Sequence, residues 1–178
     1  MHRASFVIIA AIATTFSAVT AAHAELVGTY SVGSGAKTSY LQFDFANSNT
    51  YLYAVRYDGT MRGADLLAIV ASAQPGFFSY ETVSFSFGDA LLGVTIGSDT
   101  NAGFGTPPDY VDYWHYWTRD SETTPWIASL IGFADRTVSN GSWDGWVFNS
   151  DLQPSTVPAP TAGVLLALVG LTARRRPR

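Results

Sequence analysis

Tyr40-Leu41-Gln42-Phe43-Asp44-Phe45 alternates without a break. Successive side chains on a strand point to opposite faces, so Leu41, Phe43 and Phe45 share one face while Gln42 and Asp44 share the other. This is the pattern of a half-buried strand. The turn formers Asn47-Ser48-Asn49 follow, and then Thr50 to Tyr57, dense in Tyr and Val and stopped at Asp58-Gly59. Two such runs joined by a short turn predict an antiparallel pair. From Gly63 the period changes: Leu66, Leu67, Ile69 and Val70 recur with Ala68, Ala71 and Ala73 between them. That spacing predicts a short amphipathic helix ending before Pro75-Gly76, with Asp65 in the first turn, where a carboxylate suits the helix dipole.

Beyond the helix, strand patterns return. Phe77 to Phe87 holds the alternating set Val83, Phe85, Phe87, and Leu91 to Ile96 is a continuous apolar run between Gly88-Asp89 and Gly97-Ser98-Asp99. Gly97 to Asp109, rich in Gly and Pro, reads as a loop. Tyr113 to Trp117, Trp126 to Ile131 and Trp143 to Phe148 are further strand candidates, the last introduced by the turn residues Asn140-Gly141-Ser142. The expected fold class is α+β, an antiparallel sheet with one short packed helix, in a single domain spanning residues 25–152. Residues 153–160 read as a Pro/Ser/Thr linker and Pro motif, and residues 161–178 as a hydrophobic segment with a basic end.

The two ends of the chain read as addresses. Met1-His2-Arg3 is a charged start, Phe6 to Val19 is apolar with only Ser and Thr interrupting it, and Ala22-His23-Ala24 has the small-x-small form of a cleavage box. A signal peptide of residues 1–24 is expected, with Glu25 as the first mature residue; an uncut membrane anchor is the alternative. At the other end stand Val157-Pro158-Ala159-Pro160, thirteen uncharged residues from Thr161 to Ala173, and Arg174-Arg175-Arg176. This order resembles the PEP-CTERM sorting signal of Gram-negative bacteria, with Ala159 where that signal has Glu. The resemblance implies an exported protein, handled at the Pro motif by membrane-bound sorting and processing machinery and delivered to the cell surface or extracellular matrix. Thirteen helical residues span about 20 Å against a hydrocarbon core of roughly 30 Å, so the segment suits a transient hold better than a permanent anchor. The arginines favour the cytoplasmic side.

Without its two ends the chain is strongly acidic. Five of its ten basic residues lie in the end segments while all fourteen acidic residues lie in the body, which therefore carries five against fourteen, a net charge of −9. Lys37, Arg56, Arg62, Arg119 and Arg136 form no basic stripe, so nucleic acid is not an expected partner. Cysteine is absent. Thiol nucleophiles, cysteine zinc sites and disulfides are thereby excluded, and core burial alone must hold the body together.

A second resemblance rests on the strand pair, the Asp65-Leu66-Leu67 helix, Tyr113-Trp114-His115-Tyr116-Trp117, Gly132 and the closing Asn140 to Phe148. Together these look like the transcobalamin C-terminal type of β-grasp module, some members of which contact corrinoids. The aromatic residues bear on a site in their own right. Trp114 and Trp117 are three apart, as are Trp143 and Trp146, so on strands each pair should divide between the two faces. An exposed indole would offer a stacking platform to a sugar ring or a corrin-like plane. Tyr113, Trp114, Trp117, Trp143 and Trp146 are accordingly the candidate ligand-binding residues, and the alternative is that all five tryptophans fill the core.

Catalytic patterns are weak. His115 is the single histidine outside the expected signal, no Gly-x-Ser-x-Gly occurs, and the pairs Asp109/Asp112 and Asp120/Glu122 lie in polar loop sequence. No cofactor and no metal site are expected. Asp99, Asn101, Asp109 and Asp112 supply oxygen ligands near a Gly-rich loop, but their spacing does not match an EF-hand. Two functional classes remain: a non-catalytic surface or matrix protein, and a ligand-binding module for an exopolysaccharide, other carbohydrate or corrinoid.

Overall fold

The computed structural model describes residues 24–86 and 88–157. The expected signal apart from Ala24, the residues Pro158, Ala159, Pro160, Arg174, Arg175 and Arg176, and Phe87 lie outside the described residues. The architecture is α+β, mostly sheet with one short helix. Among the described residues no helix is long and apolar enough to cross a membrane.

The strands β1 (Glu25–Gly33), β2 (Lys37–Asp44) and β3 (Asn49–Tyr57) come first. The expected pair is present: β2 and β3 run antiparallel from Lys37 opposite Tyr57 to Asp44 opposite Thr50. Their turn closes on hydrogen bonds between Phe45 and Asn49 and between Ser48 and Phe45, with Ser48 at φ 71°. The two-residue β4 (Met61–Arg62) leads into α1 (Gly63–Ala73). Asp65 accepts the Arg62 N–H at 2.8 Å, satisfying one of the donors a helix start leaves free. Leu66, Leu67 and Val70 are fully buried, as their spacing on one helix face requires. Gly63 has to be glycine-sized, because a Cβ there would meet the Phe133 carbonyl oxygen at 2.6 Å.

Next come β5 (Phe78–Phe85), β6 (Gly88–Ile96) and β7 (Asp99–Ala102), which make a three-stranded antiparallel sheet. The chain then runs through β8 (Trp114–Arg119), β9 (Ile127–Ala128), β10 (Thr137–Val138) and β11 (Trp143–Phe148). The main sheet has the order β1-β3-β2-β11-β8-β9, while β10 pairs with β4 alone. The core lies on the inner face of this sheet under α1, β5 and β6, where Leu41, Phe43, Tyr53, Leu66, Phe78 and Trp146 belong to one cluster.

Four expectations change. The main sheet is mixed rather than antiparallel, since β1 lies parallel to β3 and β2 parallel to β11. Alternation reports which way side chains point and carries no information on chain direction. The expected strand over Trp126 to Ile131 shrinks to Ile127–Ala128, and the expected loop after Gly97 contains β7. β7 is fixed by Asp99, whose carboxylate accepts from Asn47 at 3.0 Å, Asn49 at 2.7 Å and the Tyr51 hydroxyl at 2.7 Å. Lastly, the expected linker is partly built into the domain: Pro154 and Val157 are buried, and the latter packs with Leu52 and Trp143 on the outer face of the sheet. The polar side of the opening strand is therefore covered as well, leaving Gln42 0% and Asp44 8% exposed.

Candidate functional site

β8 and β11 carry the aromatic residues, and their antiparallel register sets Trp146 opposite Tyr116, Phe148 opposite Trp114 and Gly145 opposite Trp117. Alternation then divides them. Trp114, Tyr116, Trp146 and Phe148 face the core; Trp117, Arg119 and Trp143 face the other side. Trp146 is stacked between Phe43 at 5.1 Å and Tyr116 at 4.9 Å, with Phe133 edge-on at 6.2 Å. Trp143 lies on Tyr40 at 4.5 Å, meets Trp126 edge-on at 6.2 Å and has the Arg119 guanidinium 4.0 Å above its ring.

Trp143 and Trp146 do occupy opposite faces, but both are buried, at 0% and 1% exposure. The expectation that one of them is a surface platform is overturned. It assumed a sheet covered on one face, whereas Trp126, Pro154 and Val157 cover the second. Trp114 is buried as well, at 4%, and donates its indole N–H to the Asn101 carbonyl at 3.2 Å. Trp117 is half-buried, and its indole N–H has no hydrogen-bond partner among the described residues.

Four of the five candidates nevertheless border one cavity. Tyr113, Trp114, Trp117 and Trp146 line a space of about 340 Å³ between β8, β6 and the segment 128–133, together with Tyr116 and Phe133, which the sequence reading did not single out. Trp143 is absent from it. Phe104, Leu130 and Ile131 also border the cavity and are 45%, 99% and 52% exposed, so its mouth is apolar. Tyr113 and His115 stack at 3.8 Å beside it. The His115 Nε2 lies 3.3 Å from the Val111 carbonyl, and burial lowers the imidazole pKa.

Behind the cavity wall lies a polar cluster. The Tyr116 hydroxyl donates to Asp144, which is 0% exposed and has the Arg136 Nε at 2.7 Å from Oδ1. Burial pushes the Asp144 carboxyl up to about 6 despite Arg136 and Tyr116, and drives the Tyr116 phenol well above its usual range. In the sequence Asp144 lay within the strand expected over Trp143 to Phe148 and was not singled out. Nothing local marked it as an inward-facing acid.

Of the residues considered as oxygen ligands, Asp99, Asn101 and Asp112 are otherwise engaged. Asp99 holds the β2–β3 turn, and these hydrogen bonds, that from Asn49 foremost, lower its pKa. Asn101 accepts the Ala46 N–H at 3.0 Å, and Asp112 accepts from the Thr106 N–H and hydroxyl. Among the described residues no group of three or more His, Cys, Asp or Glu is positioned to hold a metal ion. No protein-family model matches the chain, and no curated protein matches it significantly.

Proposed function

We propose that this chain is an exported, non-catalytic surface or extracellular-matrix protein. It is made with a signal removed after Ala24 and sorted through Val157-Pro158-Ala159-Pro160, the hydrophobic segment and Arg174 to Arg176 by membrane-bound machinery. The observation that carries this reading is where strand β1 begins. β1 starts at Glu25, the first residue after the cleavage box, and its backbone N–H bonds the Ser48 carbonyl at 2.8 Å. Cleavage after Ala24 would leave β1 whole. The net charge of −9 on the body suits a hydrated exterior. The non-catalytic reading draws support from His115, whose ring is taken up by Tyr113 and the Val111 carbonyl. The fold we read as β-grasp-like: a hairpin, a helix, and a final strand lying parallel to the hairpin's first strand. Intact-mass and N-terminal analysis of protein from its native host tests the proposal. Glu25 is expected first, and retention of Met1 on the surface-delivered protein would count against it.

The aromatic cavity favours a second reading, a ligand-binding module. Its volume of about 340 Å³ stands at the lower end of the roughly 300 to 1,000 Å³ typical of small-molecule sites. A single sugar or other small ring fits that space, whereas a corrinoid would have to lie across the mouth.

A further inference from the structure

Building on the ligand-binding reading, we propose that the cavity between β8, β6 and the segment 128–133 takes a cation: a single-ring compound carrying a primary ammonium group, paired with the Asp89 carboxylate.

Asp89 borders the cavity and is half-buried. It stands two residues before Leu91 on β6, so the two side chains share a face, and Leu91 is in the core at 2% exposure. The cross-strand neighbour Ser84 donates its hydroxyl to Asp89 Oδ1 at 2.6 Å, which fixes the carboxylate. Its Oδ2 receives no hydrogen bond among the described residues. A carboxylate accepts at both oxygens, so a place is kept for a donor.

The other walls favour a cation over an anion. Phe104, Tyr113, Trp114, Tyr116, Phe133 and Trp146 line the space, and the face of an aromatic ring is its negative side. A cation within about 6 Å of such faces is attracted, more strongly once it has left water. No lysine or arginine borders the cavity. His115 does, but burial lowers its pKa and leaves the ring neutral at pH 7. Three donors along the wall are already spent: the Trp114 indole N–H on Asn101, the Tyr116 hydroxyl on Asp144 and the Ser129 hydroxyl on the Ile131 carbonyl at 2.8 Å. The net charge of −9 on the body raises the concentration of cations near it. One carboxylate is too few for a hard metal ion, which takes about six or more oxygens. It suits an ammonium, whose remaining surface the rings can face. The volume of about 340 Å³ sets the limit of a single ring.

Calorimetric titration of purified protein from the native host with benzylamine, benzyl alcohol and benzoate tests this, because the three differ in charge on a common ring. Glucosamine against glucose puts the same question to a sugar ring. Benzylamine or glucosamine should bind about tenfold tighter than its neutral counterpart, and benzoate should give no saturable heat. A preference seen only with benzylamine makes the ligand an aromatic amine, and one seen only with glucosamine an amino sugar. Asp89→Asn, whose side-chain carbonyl still accepts from Ser84, should bring the preference to within about twofold, with near-UV circular dichroism reporting the fold. Leu130 is 99% exposed and can be changed without touching the core. Leu130→Lys should weaken the ammonium ligand about threefold relative to Leu130→Gln and leave the neutral one unchanged. Equal affinity for charged and neutral rings, a preference that survives in folded Asp89→Asn, or no difference between the two Leu130 variants overturns the proposal and leaves the ligand-binding reading standing. No saturable binding of any of the five compounds sinks that reading, and this proposal with it.

Discussion

Asp144 shows how a single carboxylate can work against the fold that holds it. Desolvation is the largest influence on it, and the Arg136 guanidinium and Tyr116 hydroxyl only partly offset that effect. Its pKa is about 6 in the folded protein against 3.8 for the free side chain. Between those values the folded state holds a proton that the unfolded chain has released, so stability from this residue is present in acid and lost as pH rises through about 6. The difference of roughly 2 units corresponds to about 3 kcal/mol by pH 7. Asp99 acts in the opposite sense, because its lowered pKa adds stability above the usual carboxylate range and loses it as pH falls. Comparing wild type with Asp144→Asn cancels that background. The asparagine carbonyl can still accept from Tyr116, and its amide does not titrate. Urea unfolding at pH 4 and pH 7 should show the variant gaining about 2 kcal/mol relative to wild type over that interval, the remainder of the effect lying below pH 4. A stability difference independent of pH would show that Asp144 does not change charge there.

At the scale of elements, the two faces of β11 are both interiors. Trp146 is stacked between Phe43 and Tyr116, and Trp143 is enclosed by Tyr40, Trp126, Arg119 and Val157. Either indole truncated to alanine leaves a hole lined by residues that cannot close it, so Trp143→Ala and Trp146→Ala should each lose about 3 to 5 kcal/mol in chemical denaturation. A loss below about 1 kcal/mol for Trp143→Ala would mean that the outer cover is open in solution. The same comparison explains what the sequence discloses. Strand β2, helix α1 and the facing of Leu41 and Phe43 were legible because a local period encodes them. The burial of Trp143 was not, because its cover comes from Trp126 and from residues 154–157, whose own Pro/Ser/Thr composition reads as linker. Strand β1 was missed too. Gly28 and Gly33 break its pattern, and its partner β3 runs parallel to it, a pairing that no turn announces. The cavity residues on β8 were found from their density in one strand, but Phe133 and Phe104 reach it from separate segments that carry no shared signal.

For the molecule as a whole, the cavity owes its existence to the two sheets. β8 of the main sheet and β6 of the smaller one both border it, and the segment 128–133 completes the lining with Leu130 and Ile131 exposed. Its walls present ring faces, since the polar tips of Trp114 and Tyr116 are spent on Asn101 and Asp144. Such a space favours a small flat or ring-shaped ligand and leaves no room to enclose a macrocycle. Titration of the purified protein with monosaccharides, oligosaccharides and single-ring aromatic compounds should give a saturable change in tryptophan emission, because Trp114, Trp117 and Trp146 border the cavity. Equilibrium dialysis with cobalamin should give no saturable uptake. Phe104 is 45% exposed and stacks on Phe85 at 4.8 Å, so Phe104→Ala opens the mouth without touching the buried core. It should weaken the ligand about tenfold, or about 1.4 kcal/mol. Leu152→Ser, 71% exposed and outside the cavity, should leave affinity unchanged. Equal effects of these two variants, or no saturable response to any small ring, would remove the binding reading and leave the cavity as a packing gap between the sheets.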